Sequence, residues 1–232
     1  PRMSSTVVAH ERGVEAARWV LERLEDGDLD RRLLLLEWVR LLLERAPLIE
    51  PLGLKDILLR RASDPVAEVA NKVTLCLAKA IEADRDFGHQ LALRLHEREE
   101  TLVRRAMADV LTRLFRRLTW DALPLLDDML TSDDEGVLAA ASATVGDVKY
   151  LDKEQWADRL RQLADHPLAI VRRNLVPNLR EYIEFDPADS RGLFHQLWKD
   201  GDEVVRTRLR ELMLRMEEVA PDRFAAQVKA LH

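Results

Sequence analysis

The side chains here with the widest chemical reach are one cysteine, Cys76, and six histidines: His10, His89, His96, His166, His195 and His232. A zinc site needs histidine, cysteine or carboxylate ligands brought together at tight spacing. His89 and His96 stand seven apart, roughly one helix face, but no cysteine stands at ligand spacing beside them. A single cysteine excludes an intrachain disulfide and a thiolate cluster. The eight glycines are scattered singly, so no Gly-rich loop cradles a phosphate. No Ser/His/Asp or Cys/His set has local support, and the pairs Asp127-Asp128 and Asp133-Asp134 read as solvated or helix-capping carboxylates near turns. The expectation is therefore no catalytic residue, no metal and no cofactor. The remaining chemistry is that of arginine, whose planar guanidinium binds carboxylate or phosphate through two parallel hydrogen bonds.

The elements that must position those arginines are helices. Leu, Ala, Arg and Glu dominate the 232 residues, glycine and proline are few, and strand-like alternation is rare. Val69, Val103, Val137, Val171 and Val205 recur every 34 residues, and one step back lands on Leu35. Four residues after each anchor stand Val39, Val73, Met107, Ala141, Leu175 and Leu209; eight after stand Leu43, Leu77, Leu111, Val145, Leu179 and Met213. This spacing is one helix face. A second face lies 23 and 26 after the anchor, with Leu58, Ala92, Leu126, Leu160, Phe194 and Val228, then Leu95, Met129, Leu163, Leu197 and Leu231.

The pattern predicts first helices near 12–25, 51–62, 86–96, 120–131, 153–164 and 189–199. Second helices are expected near 30–46, 66–82, 100–117, 135–150, 168–184 and 203–218, and a thirteenth helix near 221–231. Pro65 and Pro167, four residues before their anchors, mark where second helices would begin, and Ser132, Asp133 and Asp134 offer capping oxygens at the same place. Cys76 falls on the core side, and the tryptophans are expected mostly in core or inter-repeat packing, with Trp120 partly exposed.

The anchor segments Val103-Arg104-Arg105-Ala106, Val171-Arg172-Arg173-Asn174 and Val205-Arg206 resemble those of HEAT repeats, the armadillo-like α-solenoids. Val69-Ala70 and Val137-Leu138 lack the arginine. The Trp…Leu-Gly…Tyr pattern of tetratricopeptide repeats, which also have a 34-residue period, does not recur. The resemblance implies an all-α, right-handed α-α superhelix of about six helix pairs plus a C-terminal helix, one domain over residues 1–232. It also implies that Arg104, Arg172 and Arg206 pair with turn aspartates, that second helices line a concave face, and that this face binds.

Positions 2, 6, 9 and 13 after the anchor point away from the core. They place Arg105 and Arg116 on the third repeat, Ala139, Ala143, Gly146 and Tyr150 on the fourth, and Arg173 and Arg180 on the fifth. Two arginine-bearing walls would flank a small-residue floor, forming a trough for an acidic peptide, an acidic helix or a phosphate backbone. Alternatively, these are ordinary solvated helix faces and the alanines simply let helices pack closely. The leading expectation is a scaffold for a protein or acidic peptide. The alternative is a DNA-binding protein or, because Trp120-Asp121 is similar to their Trp-Asp element, one of the HEAT-like glycosylases that remove alkylated bases. The net charge of -6 weighs against a general nucleic-acid binder. The N-terminus shows no signal segment, no apolar run reaches membrane-spanning length, and a reducing cytoplasmic setting is expected; either Met3 is the natural start or the chain is a piece of something longer.

Overall fold

The computed structural model describes residues 5–231. Met3 and His232 lie outside the described residues, as do the side chains of His10 and Leu231. Among the described residues there is no strand, and the chain forms two compact units, Pro1–Leu125 and Leu126–His232.

The first unit begins with α1 (Ser5–Glu25), α2 (Leu29–Leu42) and the short α3 (Ala46–Ile49), followed by α4 (Leu54–Ala62). Its next second helix is split into α5 (Ala67–Thr74) and α6 (Leu77–Ala83), and α7 (Arg85–His96) and α8 (Thr101–Leu118) complete it. The unit boundary falls within α9 (Leu123–Met129). The second unit continues with α10 (Glu135–Thr144), α11 (Lys153–Ala164), α12 (Ala169–Leu175) and α13 (Leu179–Phe185). It ends with α14 (Pro187–Trp198), α15 (Glu203–Val219) and α16 (Pro221–Leu231).

Within each unit the 34-residue columns build the core. Leu35, Val69 and Val103 in the first unit and Val137, Val171 and Val205 in the second are all fully buried, as is every residue four positions later. Burying one such side chain contributes roughly 1.5–3 kcal/mol relative to leaving it in water. The register slips only in the last pair. Phe194 and Met213 are half-buried, while their neighbours Leu193 and Met216 take the core positions. There α14 and α15 pack against the single helix α16 instead of a complete pair, so the apolar stripe rotates toward it.

Three second helices expected to be continuous are interrupted. The Thr74 hydroxyl donates to the Asn71 carbonyl at 2.7 Å just before the break between α5 and α6. In α10, Ser142 and Thr144 donate to the Ala139 and Ala140 carbonyls, and the chain tightens into a 3₁₀ turn over Val145–Tyr150. Such back-bonding competes with the helical ladder. Pro177, which has no N–H, separates α12 from α13 inside the 3₁₀ turn Val176–Asn178.

The turns before the second helices share a device that proline spacing does not reveal. Five residues before their anchors, Asp64, Ser132, His166 and Asp200 each accept the backbone N–H two residues ahead, at 2.8–3.2 Å. Pro65 and Pro167 therefore precede the helices, which start two residues later at Ala67 and Ala169.

Candidate functional site

Ion pairs between groups 28–36 residues apart, about one repeat, recur among the described residues. In the first unit Arg32 pairs with Asp64, Lys55 with Asp84, Arg60 with Glu25 and Arg85 with Asp121. In the second, Lys149 pairs with Glu181, Arg159 with Asp127 and Arg161 with Asp189. Arg172 grips Asp200 through Nε and Nη2 at 2.7 and 2.8 Å, as expected of an arginine that stacks repeats. Arg206 donates to the Asp200 carbonyl and to Glu203, and Arg104 is likewise engaged.

The five side chains expected at a binding trough fall in both units. In the first, Arg105 and Arg116 are exposed on α8; Arg105 is engaged, and no carboxylate within the described residues pairs with Arg116. In the second, Arg173 holds Asp202 through two contacts of 3.1 and 2.8 Å, and this carboxylate raises its pKa. Tyr150 is 76% exposed at the end of its 3₁₀ turn, with the Lys149 ammonium 5.1 Å from its ring centre. Arg180 is exposed on α13 and pairs with no carboxylate among the described residues.

The small residues of the fourth repeat form a packing seam. Asn174 donates through Nδ2 to the Ala139 carbonyl and the Ser142 hydroxyl, both at 2.9 Å. A Cβ on Gly146 would lie 2.7 Å from Asn178 Oδ1, which accepts from buried Trp156 Nε1 at 3.4 Å. Close helix approach, the second of the two sequence readings, thus accounts for Ala139 and Gly146.

Two features of the second-helix faces fall outside the arginine-lined trough. In the first unit, Leu41 and Leu75 stand one period apart at position 6, exposed by 56% and 53%. In the second unit, Val176 and Pro177 face Arg208, Glu211, Leu212 and Arg215 of α15 across a hollow of about 190 Å³. It admits one large side chain but not a drug-sized ligand, which needs ~300 Å³ or more. Arg208 and Arg215 occupy positions 3 and 10, columns the outward-pointing set leaves out.

Trp120 and Asp121 lie in a 3₁₀ turn, Thr119–Ala122, where Asp121 accepts from Arg85 at 2.5 Å. Arg85 also donates to the Leu118 carbonyl at 3.0 Å, so this aspartate serves a turn-to-helix clamp. Trp156 is buried and Trp120 is partly exposed, both as expected, but Trp19, Trp38 and Trp198 are exposed, so three of the five tryptophans depart from core packing. Trp198 stacks on Phe194 with ring centres 5.9 Å apart. Cys76 is buried as expected, and burial pushes its thiol up to about 12. No group of three or more potential metal ligands forms among the described residues, and no described helix is long and apolar enough to cross a membrane.

The chain matches no protein-family profile and no curated protein. Its structure is similar to solved structures of designed proteins. One, an engineered protein, has a TM-score of 0.55 at 15% identity, covering 88% of this chain and 97% of that one. A designed armadillo repeat protein aligns with TM-score 0.54 at 14% identity, over 93% of this chain and 99% of that one. Another, described as a computationally designed armadillo repeat protein for modular peptide recognition, aligns with TM-score 0.55 at 16% identity, over 83% and 96%. At these identities the likeness is one of fold: an all-α helical repeat of the armadillo/HEAT kind.

Proposed function

We propose that this armadillo-like repeat chain is a binding scaffold whose partner is a protein, held by the outward side chains of the second helices. The observation that carries the reading is the exposure of Leu41 and Leu75 at the same repeat position, over half of each side chain in water. Leu34 and Trp38 of α2 are exposed as well. Apolar side chains clustered on one face mark protein contact surfaces. A nucleic-acid surface would instead concentrate unpaired cations there, whereas the nearby Lys72 and Lys79 are paired with Glu37 and Glu44. The use of a related repeat fold for peptide recognition supports the same reading.

The test is capture from native lysate with tagged wild type and with the Leu41→Asp, Leu75→Asp double variant, each with and without nuclease. One polypeptide that co-purifies with wild type, survives nuclease and is lost with the double variant supports a protein scaffold. Capture that disappears with nuclease, or that the double variant retains in full, contradicts it.

A further inference from the structure

The seam between the fifth and sixth second helices is charged unlike its counterpart in the first unit. There, position 3 of the second repeat meets position 2 of the first as Lys72 with Glu37, and position 10 meets position 9 as Lys79 with Glu44. At the seam of α12, α13 and α15 the corresponding positions hold Arg208 and Arg173, which meet, and Arg215 and Arg180, which line two separate hollows. Arg173 is held by Asp202, and Arg208 reaches only the Arg173 carbonyl, at 3.3 Å. Neither Arg180 nor Arg215 pairs with a carboxylate among the described residues. Like charges on neighbouring register positions cost free energy unless an anion joins them.

These arginines border an apolar floor. Val176, Pro177 and Leu212 line the hollow under Arg208 and Arg215. Further along α13 and α15, Arg180 and Arg223 of α16 border a much smaller recess, about 10 Å³, with Met216, Val219 and Ala220. Its carboxylate, Glu184, is engaged by Gln227 at 3.1 Å and Arg223 at 4.0 Å. Across both hollows four guanidinium groups stand against two carboxylates, Glu184 and Glu211, on a chain whose net charge is -6.

We propose that this groove binds an acidic protein segment that inserts a large apolar side chain between Pro177 and Leu212 while its carboxylates bridge Arg180 and Arg215. The proposal rests on the scaffold reading and names one partner class for it. An apolar floor favours a peptide over a nucleic-acid backbone, because phosphates would leave Val176 and Leu212 uncovered.

The probe is a fluorescein-labelled twelve-residue peptide of glutamates and aspartates with two leucines four residues apart, titrated by anisotropy. Saturable binding is expected. Arg180→Glu and Arg215→Glu should each weaken it by about ten-fold or more, the loss of one charge-assisted hydrogen bond. Arg94→Glu, an exposed reversal on α7, should leave it unchanged. The peptide with glutamine for glutamate, or serine for leucine, should also bind at least about ten-fold more weakly, a comparison that needs no protein variant. No saturable binding overturns the proposal, as does equal binding of a lysine-rich peptide or tighter binding of labelled duplex DNA. If the peptide fails while lysate capture still depends on Leu41 and Leu75, the groove is wrong and the scaffold reading stands.

Discussion

Arg172 and Asp200, 28 residues apart, form a two-point ion pair in which the Asp200 side chain is almost wholly shielded from water. The same guanidinium caps the carbonyls of His166 and Pro167 at 2.7 and 2.9 Å, and the same carboxylate accepts the Asp202 N–H. One pair therefore ties the turn ahead of the fifth second helix to the turn ahead of the sixth. Removing one member leaves the other charge buried alone, at a cost of about 3–5 kcal/mol. Asp200→Ala and Arg172→Ala should each lower stability by about that much in urea unfolding. The double variant should lose less than their sum; additive losses would show that the pair is not coupled.

The turn carboxylates set the acid response. Hydrogen bonding from Arg173, then from the Val205 N–H, holds Asp202 down at about 2. Arg98 holds Glu100 down at about 2, and Arg172 lowers Asp200. A carboxylate whose folded pKa is depressed stabilises fully above its unfolded value of about 4, and that stability is lost as pH falls through about 2. The urea midpoint should hold from neutral pH to about 5 and then fall steadily toward about 2. Asp202→Asn should flatten that fall, and carboxyl NMR should place the Asp202 midpoint near 2. A midpoint indifferent to acid would contradict the pairing.

Two glycines should respond to alanine in opposite directions. A Cβ on Gly88 would lie 2.3 Å from Ile81 Cγ1 and 2.6 Å from the Ile81 Cα, where α7 crosses α6. Because backbone cannot move aside cheaply, Gly88→Ala should destabilise by about 3 kcal/mol or more. Gly192, exposed in α14, meets nothing within 4 Å, and Gly192→Ala should stabilise by about 0.5–1 kcal/mol. Thermal melting distinguishes the two; a stable Gly88→Ala would mean that α6 and α7 pack more loosely than described.

The columns of hydrophobic residues were legible because each helix pair repeats one period without insertions, so Leu35 through Val205 share one environment. What the period could not show is where it stops being enforced. Thr74, Ser142 and Pro177 break their helices through local hydrogen bonding or a missing donor, and the apolar columns do not mark them. Arg173 and Arg180 read alike as outward arginines, yet only one meets an aspartate, because the turn that supplies Asp202 lies on the other side of a fold-dependent contact. The exposed tryptophans misled for a related reason: size favours burial, but Trp38 sits at position 3, a side that elsewhere meets the preceding repeat.

The slipped register of the last pair has its own consequence. Met216 is buried and Met213 is only partly so. Met216→Ala should cost about 2–3 kcal/mol, and Met213→Ala clearly less, by urea unfolding. The reverse order would restore the uninterrupted period.

Site-specific photo-crosslinking in native lysate tests most directly whether the second-helix faces hold a protein. Crosslinkers at Leu41 and Leu75 should label one polypeptide, with or without nuclease, while crosslinkers at the first-helix positions Asp158 and Gln162 should label none. Labelling that comes chiefly from Asp158 and Gln162, or that vanishes on nuclease treatment, would contradict a protein-binding second-helix face.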